Sequence, residues 1–355
     1  MSSTWGEKIK ISVFGESHGA AIGVVIDGVP AGEKLDMDRI LADMKRRAPG
    51  GAKGATARKE PDLPEILSGV KDGIATGSPI CAVIRNTDQR SRDYGDILYT
   101  PRPSHADFAA YFKYGGAADM RGGGHFSGRL TAPIVFAGSV ARGILANRGV
   151  TVGAHVVSVG GAADERFDLL NVSAAQLNEL NVQPFPVISA EAKEKMQAEI
   201  ENVGADSVGA TVECAAVGLP VGLGEPMFGG VEGKVASLLF GVPAVKGIEF
   251  GAGFEMSAGR GSEFNDQMTI KNGEPAFLSN NCGGILGGIT SGAPLVLRVA
   301  FKPTPSISLP QQTFDVRSMT PREITIKGRH DRCIGVRGAV VVECALCLAL
   351  ADMLV

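Results

Sequence analysis

Glycine constrains this chain more than any other residue. It supplies 48 of 355 residues, about double the usual share of roughly 7%. The glycines show no period of three, which excludes a collagen-like helix. They gather in short runs: RGGGHFSG (121–128), GRGS (259–262) and NCGGILGGITSG (281–292). Such runs permit positive φ and let the backbone pass close to a ligand.

Between these runs the apolar pattern is mixed α and β. KIKISVF (8–14) and AIGVVIDG (21–28) read as strands, VPAG (29–32) as a turn, and Asp36 or Asp38 as the cap of a helix reaching about Arg47. Residues 63–70, 78–86 and 150–161 read as strands, and 106–116 as a helix stopped by glycine. An amphipathic helix is predicted over 130–149, and helical periodicity recurs around 191–203. The apolar run 338–355 is interrupted by Glu343 and Asp352 and lacks basic flanks, so it reads as a buried strand then helix, not a membrane span. Two long polar segments, 46–62 and 85–107, have the character of functional loops. Gly28-Val29-Pro30-Ala31-Gly32 is echoed by Gly218-Leu219-Pro220-Val221-Gly222, each time between an apolar strand and a helix, the second at about 230–241. The echo suggests related halves, about 8–160 and 207–350, inside one domain spanning 1–355.

A net charge of −3 argues against general nucleic-acid or membrane-surface binding. The six cysteines are scattered and no apolar leader opens the chain, so a cytoplasmic protein with reduced thiols is expected. Cys344 and Cys347 spell C-x-x-C within an apolar helical stretch and read as core thiols; no metal site is expected.

FGESHG (14–19) matches the G-x-S-x-G nucleophile elbow. That elbow needs strand, sharp turn and then helix, whereas the following AAIGVVIDGV is β-branched. Ser17 is therefore not read as a nucleophile, and His18 becomes the residue of interest for proton transfer. Four of the five histidines (His18, His105, His125, His330) lie in glycine- or arginine-rich segments, and His155 reads as structural. Arg46, Arg47, Arg102, Arg121, Arg129, Arg329, Arg332 and Arg337 fall in the same segments, the pattern of a polyanion site. KPTPSI (302–307) suits a phosphate or a flavin edge, while P-loop and Rossmann signatures are absent. The residues alone point to a small-molecule enzyme with a polyanionic substrate, histidine acid–base chemistry and a glycine-lined cofactor pocket. They leave the reaction open, including a flavin-independent phosphate lyase or phosphotransferase, or a non-catalytic polyanion-binding protein.

FGESHG, RRAPG, NTDQRS-x-DY, RPSHAD with KYG, RGGG, GLGEP with Phe228, NCGGILGGI, FKPTPSI and KGRHD occur in the order found in chorismate synthases, and together the chain resembles that family. The resemblance implies an α+β fold with helices packed between two antiparallel sheets and an internal pseudo-twofold repeat. It implies a lyase acting last in the shikimate pathway of aromatic amino-acid biosynthesis: trans-1,4 elimination of phosphate from 5-enolpyruvylshikimate 3-phosphate to give chorismate, with reduced FMN and no net redox change. It implies His18 as proton donor to the departing phosphate with Ser17 as relay, His105 as proton donor to the reduced flavin near N1, and Asp331 as acceptor of the N5 proton. Substrate contacts fall on Arg47, Arg121, Arg129 and Arg337. FMN contacts fall on His125, Phe126, Ser127, Pro243, Ala244, Gly287, Lys302, Pro303, Thr304, Pro305, Ser306 and Arg329. The family's pyridine-nucleotide positions fall on Arg47 and Lys53, so NADPH joins an external reductant as a possible electron source. A homotetramer is expected, with neither nucleic acid nor membrane as partner. His125 stands where many members have arginine, and Arg332 adds a charge beside Asp331.

Overall fold

Alternating β-branched residues zip into two five-stranded sheets. The structure, a computed structural model, describes residues 3–50, 60–87, 99–326 and 330–355. Thr4–Trp5 (β1), Lys10–Gly15 (β2), Ala21–Asp27 (β3), Pro64–Ser68 (β4) and Ile80–Arg85 (β5) form the first sheet in the order β1-β2-β3-β5-β4. Thr151–Val159 (β6), Ala162–Ala163 (β7), Ala210–Val217 (β8), Val245–Phe250 (β9) and Leu295–Phe301 (β10) form the second in the order β9-β10-β8-β6-β7. Every neighbouring pair is antiparallel. The period of two turns Ile22, Val24 and Ile26 of β3, with Ile80, Ala82 and Ile84 of β5, to one buried face.

Read from opposite edges, the two sheets agree in the order of their last three strands, β3-β5-β4 against β8-β10-β9, and differ in the order of the first two. The G-x-P-x-G echo marks equivalent points. Gly28 (φ +89) lies so close to the Lys8 carbonyl that a Cβ would stand 1.8 Å from its oxygen, and Gly218 (φ +83) lies in the same way 2.2 Å from the Gly149 oxygen. Only glycine fits at either point.

The helices are Met37–Arg47 (α1), Asp107–Lys113 (α2), Thr131–Ala146 (α3), Ala174–Leu180 (α4), Ala190–Asn202 (α5), Val231–Leu239 (α6) and Gly335–Leu354 (α7). The Asp36 carboxylate caps α1 by accepting from the Arg39 N–H at 3.0 Å. Helix α3 packs on the first sheet, α7 on the second, and the two pack on each other; α1 and α6 complete this layer. The architecture is thus α+β, with helices between two antiparallel sheets.

Two sequence expectations need correction. Helix α3 is buried nearly all round rather than amphipathic, because α7 covers the side that the sheet does not. The run 338–355 contains no strand: α7 is continuous and almost wholly buried. Burial between two layers overrides the β preference of Val340, Val341 and Val342. The helices cross most closely at Gly138, where a Cβ would meet the Cys344 carbonyl oxygen at 2.2 Å. Cys344 and Cys347 are buried free thiols, and burial pushes Cys347 up to about 11.

The acids that interrupt α7 are buried with partners. Glu343 accepts two hydrogen bonds from Arg46 (2.8 and 2.7 Å) and one from Arg142 (2.8 Å). Asp43 accepts from Ser139 at 2.6 Å and lies 3.3 Å from Arg142. Asp352 accepts the backbone N–H groups of Glu7, Lys8 and Ile9 at 2.7–2.9 Å, which ties the last helix to the first strands.

In the second sheet, His155 is fully buried between Asp164 (3.3 Å) and Glu213 (3.1 Å). Burial opposes its charge, but hydrogen bonds to Asp164 and Glu213 win and raise its pKa. A raised folded pKa gives stability that is complete below the unfolded value of about 6.5 and is lost as pH climbs through the folded value. The melting-temperature advantage of the wild type over His155→Gln should therefore shrink as pH rises above about 6.5; a constant advantage in thermal scans would contradict this. Gly138→Ala should cost about 1–3 kcal/mol in chemical denaturation, because the added methyl overpacks the α3–α7 crossing.

Candidate active site

The turn after β2 presents the first functional side chains. Gly15 adopts φ +95, and the Gly19 N–H closes the turn on the Glu16 carbonyl at 3.0 Å. Asn86 follows β5 and donates to the carbonyls of Glu16 (3.1 Å) and Gly19 (2.8 Å). Braced in this way, the turn holds Ser17 and His18 buried. Strand β3 follows it, so the helix that a nucleophile elbow requires is missing.

The RGGG run crosses this turn. Gly122, Gly123 and Gly124 have φ of +62, +88 and +54, and the Gly124 carbonyl accepts from the Ser17 N–H at 3.1 Å. A Cβ on Gly122 would stand 2.0 Å from the His18 ring, and one on Gly123 3.2 Å from His105 Nε2. The glycines let the backbone run between two histidine side chains.

Three arginines from three helices converge beside His18: Arg47 ends α1, Arg129 precedes α3, and Arg337 lies in the first turn of α7. All line one cavity of about 880 Å³. Asp62 is buried between Arg47 and Arg129 and accepts from both, and Glu60 lies 3.3 Å from Arg129 Nε. Against the cost of burial, Arg47 and Arg129 hold the Asp62 carboxyl below its ordinary range. Burial, with Arg337 and Arg129 nearby, pulls Arg47 down to about 10. Asp331 pairs with Arg337 at 2.5 Å, and Arg337 also donates to the Arg47 carbonyl at 2.8 Å. A set of buried cations held by protein carboxylates is suited to anions that replace those carboxylates.

The same cavity is also lined by the apolar side chains of Ile11, Val13, Ile134, Val242, Ile334 and Val341. Lys246, Lys302, Thr304 and Ser306 line it as polar groups. Lys302 donates to the Ser104 carbonyl, and burial with Lys246 nearby lowers its pKa. Ser104 (φ +59) and Ala244 (φ +72) are lining residues held in the left-handed region, strain that concentrates at functional sites. Apolar walls with a cationic and hydroxyl rim fit a flat conjugated ring with an anionic tail, so the donor set suits the expected flavin.

Most residues singled out in the sequence meet here. His18, His105, His125, Phe126, Ser127, Pro243, Ala244, Lys302, Thr304, Pro305, Ser306 and Asp331 line the cavity, with Ser17 behind His18 and Pro303 between two lining residues. The Ser17 hydroxyl is buried with no partner among the described residues. His125 donates from Nδ1 to the Gly15 carbonyl at 2.8 Å, which leaves Nε2 to accept from the Ser3 hydroxyl at 2.7 Å. It therefore ties the first strands to the RGGG run.

Arg121 and Gly287 do not line this cavity. The Arg121 guanidinium is half exposed and doubly bonded to Asp119 (2.9 and 2.6 Å), two residues earlier, and it does not line the cavity. Gly287 turns the hairpin of Ile285–Leu286 and Ile289–Thr290, away from the cavity lining. Arg332 reaches the Glu201 carbonyl at 3.4 Å. Lys53 and Arg329 lie outside the described residues. Sequence reasoning missed Glu60, Asp62, Asn86, Asp107 and Lys246. The one available signal was Asp107, two residues after His105 in RPSHAD.

The sequence model of the family described as chorismate synthase matches residues 9–355. Proteins named chorismate synthase from Dehalococcoides mccartyi and Korarchaeum cryptofilum are 45% and 43% identical, over 99% and 98% of this chain and 96% of each relative. One from Pyrococcus abyssi is 46% identical over 98% of this chain and 96% of its own. The solved structure titled "Crystal Structure of Chorismate Synthase" superposes with a TM-score of 0.76 at 28% identity, covering 98% of this chain and 92% of that one.

Gly122→Ala tests the crossing geometry. The methyl would occupy the His18 ring position, and φ near +62 costs a non-glycine residue about 1–2 kcal/mol. The variant should fold with a modestly lower melting temperature and a displaced His18 ring resonance in NMR spectra; an unmoved His18 resonance would contradict the packing.

Proposed function

This chain belongs to the chorismate synthase family, and we propose that it converts 5-enolpyruvylshikimate 3-phosphate to chorismate by trans-1,4 elimination of phosphate, with reduced FMN and no net redox change. As a chorismate synthase it is an enzyme of the shikimate pathway and aromatic amino-acid biosynthesis. One observation carries the detailed reading: a single cavity is lined by a buried arginine cluster, by His18 and His105, and by a set of apolar side chains, with the RGGG backbone close to both histidines.

Arg47, Arg129 and Arg337 bind the phosphate and carboxylates as forks, in place of Asp62 and Glu60. His18 donates a proton to the leaving phosphate, which departs with the electrons of the broken carbon–oxygen bond, and Ser17 relays a proton to His18. Asp331, fixed by Arg337, accepts the proton lost from the substrate side. The reduced flavin, when bound, supplies transient electron density to carbon–oxygen cleavage. Pro243, Ala244, Lys302, Thr304, Pro305 and Ser306 hold it, with His105 at its edge. Apolar walls keep water out and strengthen each of these electrostatic contacts.

Arg121 is left out of the substrate set because Asp119 already claims it. We take the flavin to be reduced by an external reductant, with NADPH as a candidate source. The exposed Met227, Phe228 and Phe254 support assembly into the family's homotetramer, and a cytoplasmic location fits a soluble biosynthetic enzyme.

An anaerobic assay with 5-enolpyruvylshikimate 3-phosphate and photoreduced FMN, read by chorismate absorbance, tests the proposal. Product should form only with reduced flavin; turnover without it would favour a flavin-independent lyase. His18→Ala and His105→Ala should each lower turnover by about 10²–10⁴-fold with little loss of substrate binding. Unchanged turnover in both would remove the two histidines from the chemistry, and substrate binding by a wild type without turnover would leave a polyanion-binding protein.

A further inference from the structure

His105 lines the cavity between two charged neighbours. Its Nδ1 lies 2.6 Å from Asp107 Oδ1. Asp107, in the first turn of α2, is itself gripped by Arg102: Nε donates to Oδ2 at 2.7 Å, Nη2 to Oδ1 at 2.8 Å, and the Arg102 backbone N–H to Oδ2 at 3.0 Å. Arg102 Nη1 also reaches the Ser306 hydroxyl at 3.3 Å. Both Arg102 and Asp107 are buried.

Arg102 Nη2 lies 3.1 Å from His105 Nδ1 and 3.3 Å from Nε2. A nitrogen in the ring plane cannot be that close to both without colliding with Cε1. The guanidinium therefore lies over the ring face, where its charge opposes formation of an imidazolium. Asp107, doubly engaged by Arg102, stays ionised and well below the ordinary carboxylate range. An ionised carboxylate accepts only, so the proton shared with His105 sits on Nδ1. Nε2 then carries a lone pair on a ring that lines the cavity, and a Cβ on Gly123 would crowd it at 3.2 Å.

We propose that Asp107 and Arg102 are positioning residues that hold His105 as a neutral imidazole protonated on Nδ1, so that Nε2 meets the ring system bound in the cavity as a hydrogen-bond acceptor. The inference rests on the proposed flavin reading only for the identity of that ring. Three charged groups bear on the ring. Burial comes first, and Arg102 and Lys302 join it in lowering the pKa of His105, while Asp107 acts against them. The arrangement parallels the carboxylate that fixes the histidine tautomer in a hydrolase triad, with a cation added on the ring face.

The test uses ligand-free, full-length protein labelled with nitrogen-15 at histidine, with His105 assigned by comparison with His105→Gln. At neutral pH the wild-type ring should show a protonated Nδ1 and a bare Nε2, with a titration midpoint below that of a free histidine. A proton on Nε2, or an imidazolium, would overturn the proposal. Asp107→Asn should abolish the Nδ1–H preference, and an unchanged spectrum would remove Asp107 from the role. If that variant does not fold, the wild-type spectrum still decides the tautomer. Neither readout involves turnover, so failure here leaves the assay of the proposed function standing, and the converse also holds.

Discussion

Glu343 and the two arginines that share it fix the geometry on which the site depends. Burying three charges is costly unless each is paired and hydrogen-bonded. Here Arg46 from α1 and Arg142 from α3 converge on one carboxylate of α7, and Asp43 balances the second arginine. The network therefore has one satisfactory arrangement of the three helices. Arg47 follows Arg46 directly but faces the cavity, and its carbonyl receives Arg337 from the same α7. A shift of α1 along α7 would break the buried pairs and the anion site together.

Glycine does the corresponding work on the opposite wall. Side chains at residues 122 and 123 would collide with His18 or crowd His105, so backbone alone separates the two histidines. The cavity beside them carries both the arginines and the apolar side chains. In such a cavity, charges fixed before the ligand arrives need little reorganisation during reaction.

The local part of this was legible in the sequence. Alternation located β2, β3, β5 and β6, and the choice of Asp36 or Asp38 as a cap bracketed the start of α1, where Asp36 serves. The strand–turn–strand context of FGESHG was enough to set aside a nucleophilic Ser17. What escaped depended on tertiary burial. Val340 to Val342 favour a strand in isolation and became helix because two layers cover them. Asp62 is an unremarkable acid after a basic loop until folding sets it between Arg47 and Arg129. Arg121 opens RGGG, and only the fold shows it paired with Asp119 and outside the cavity lining. His125 departs from the arginine common in the family, and its use became clear only when Ser3 and Gly15 were seen on its two nitrogens.

The most direct test of the account is a crystal structure of the protein with FMN and 5-enolpyruvylshikimate 3-phosphate together. The account predicts the isoalloxazine ring in the cavity beside Val242, Ile334 and Val341, and the substrate's anionic groups on Arg47, Arg129 and Arg337, with Asp62 displaced from between the first two. Flavin density outside this cavity, or substrate bound with the Asp62 bridge intact and those arginines untouched, would contradict it.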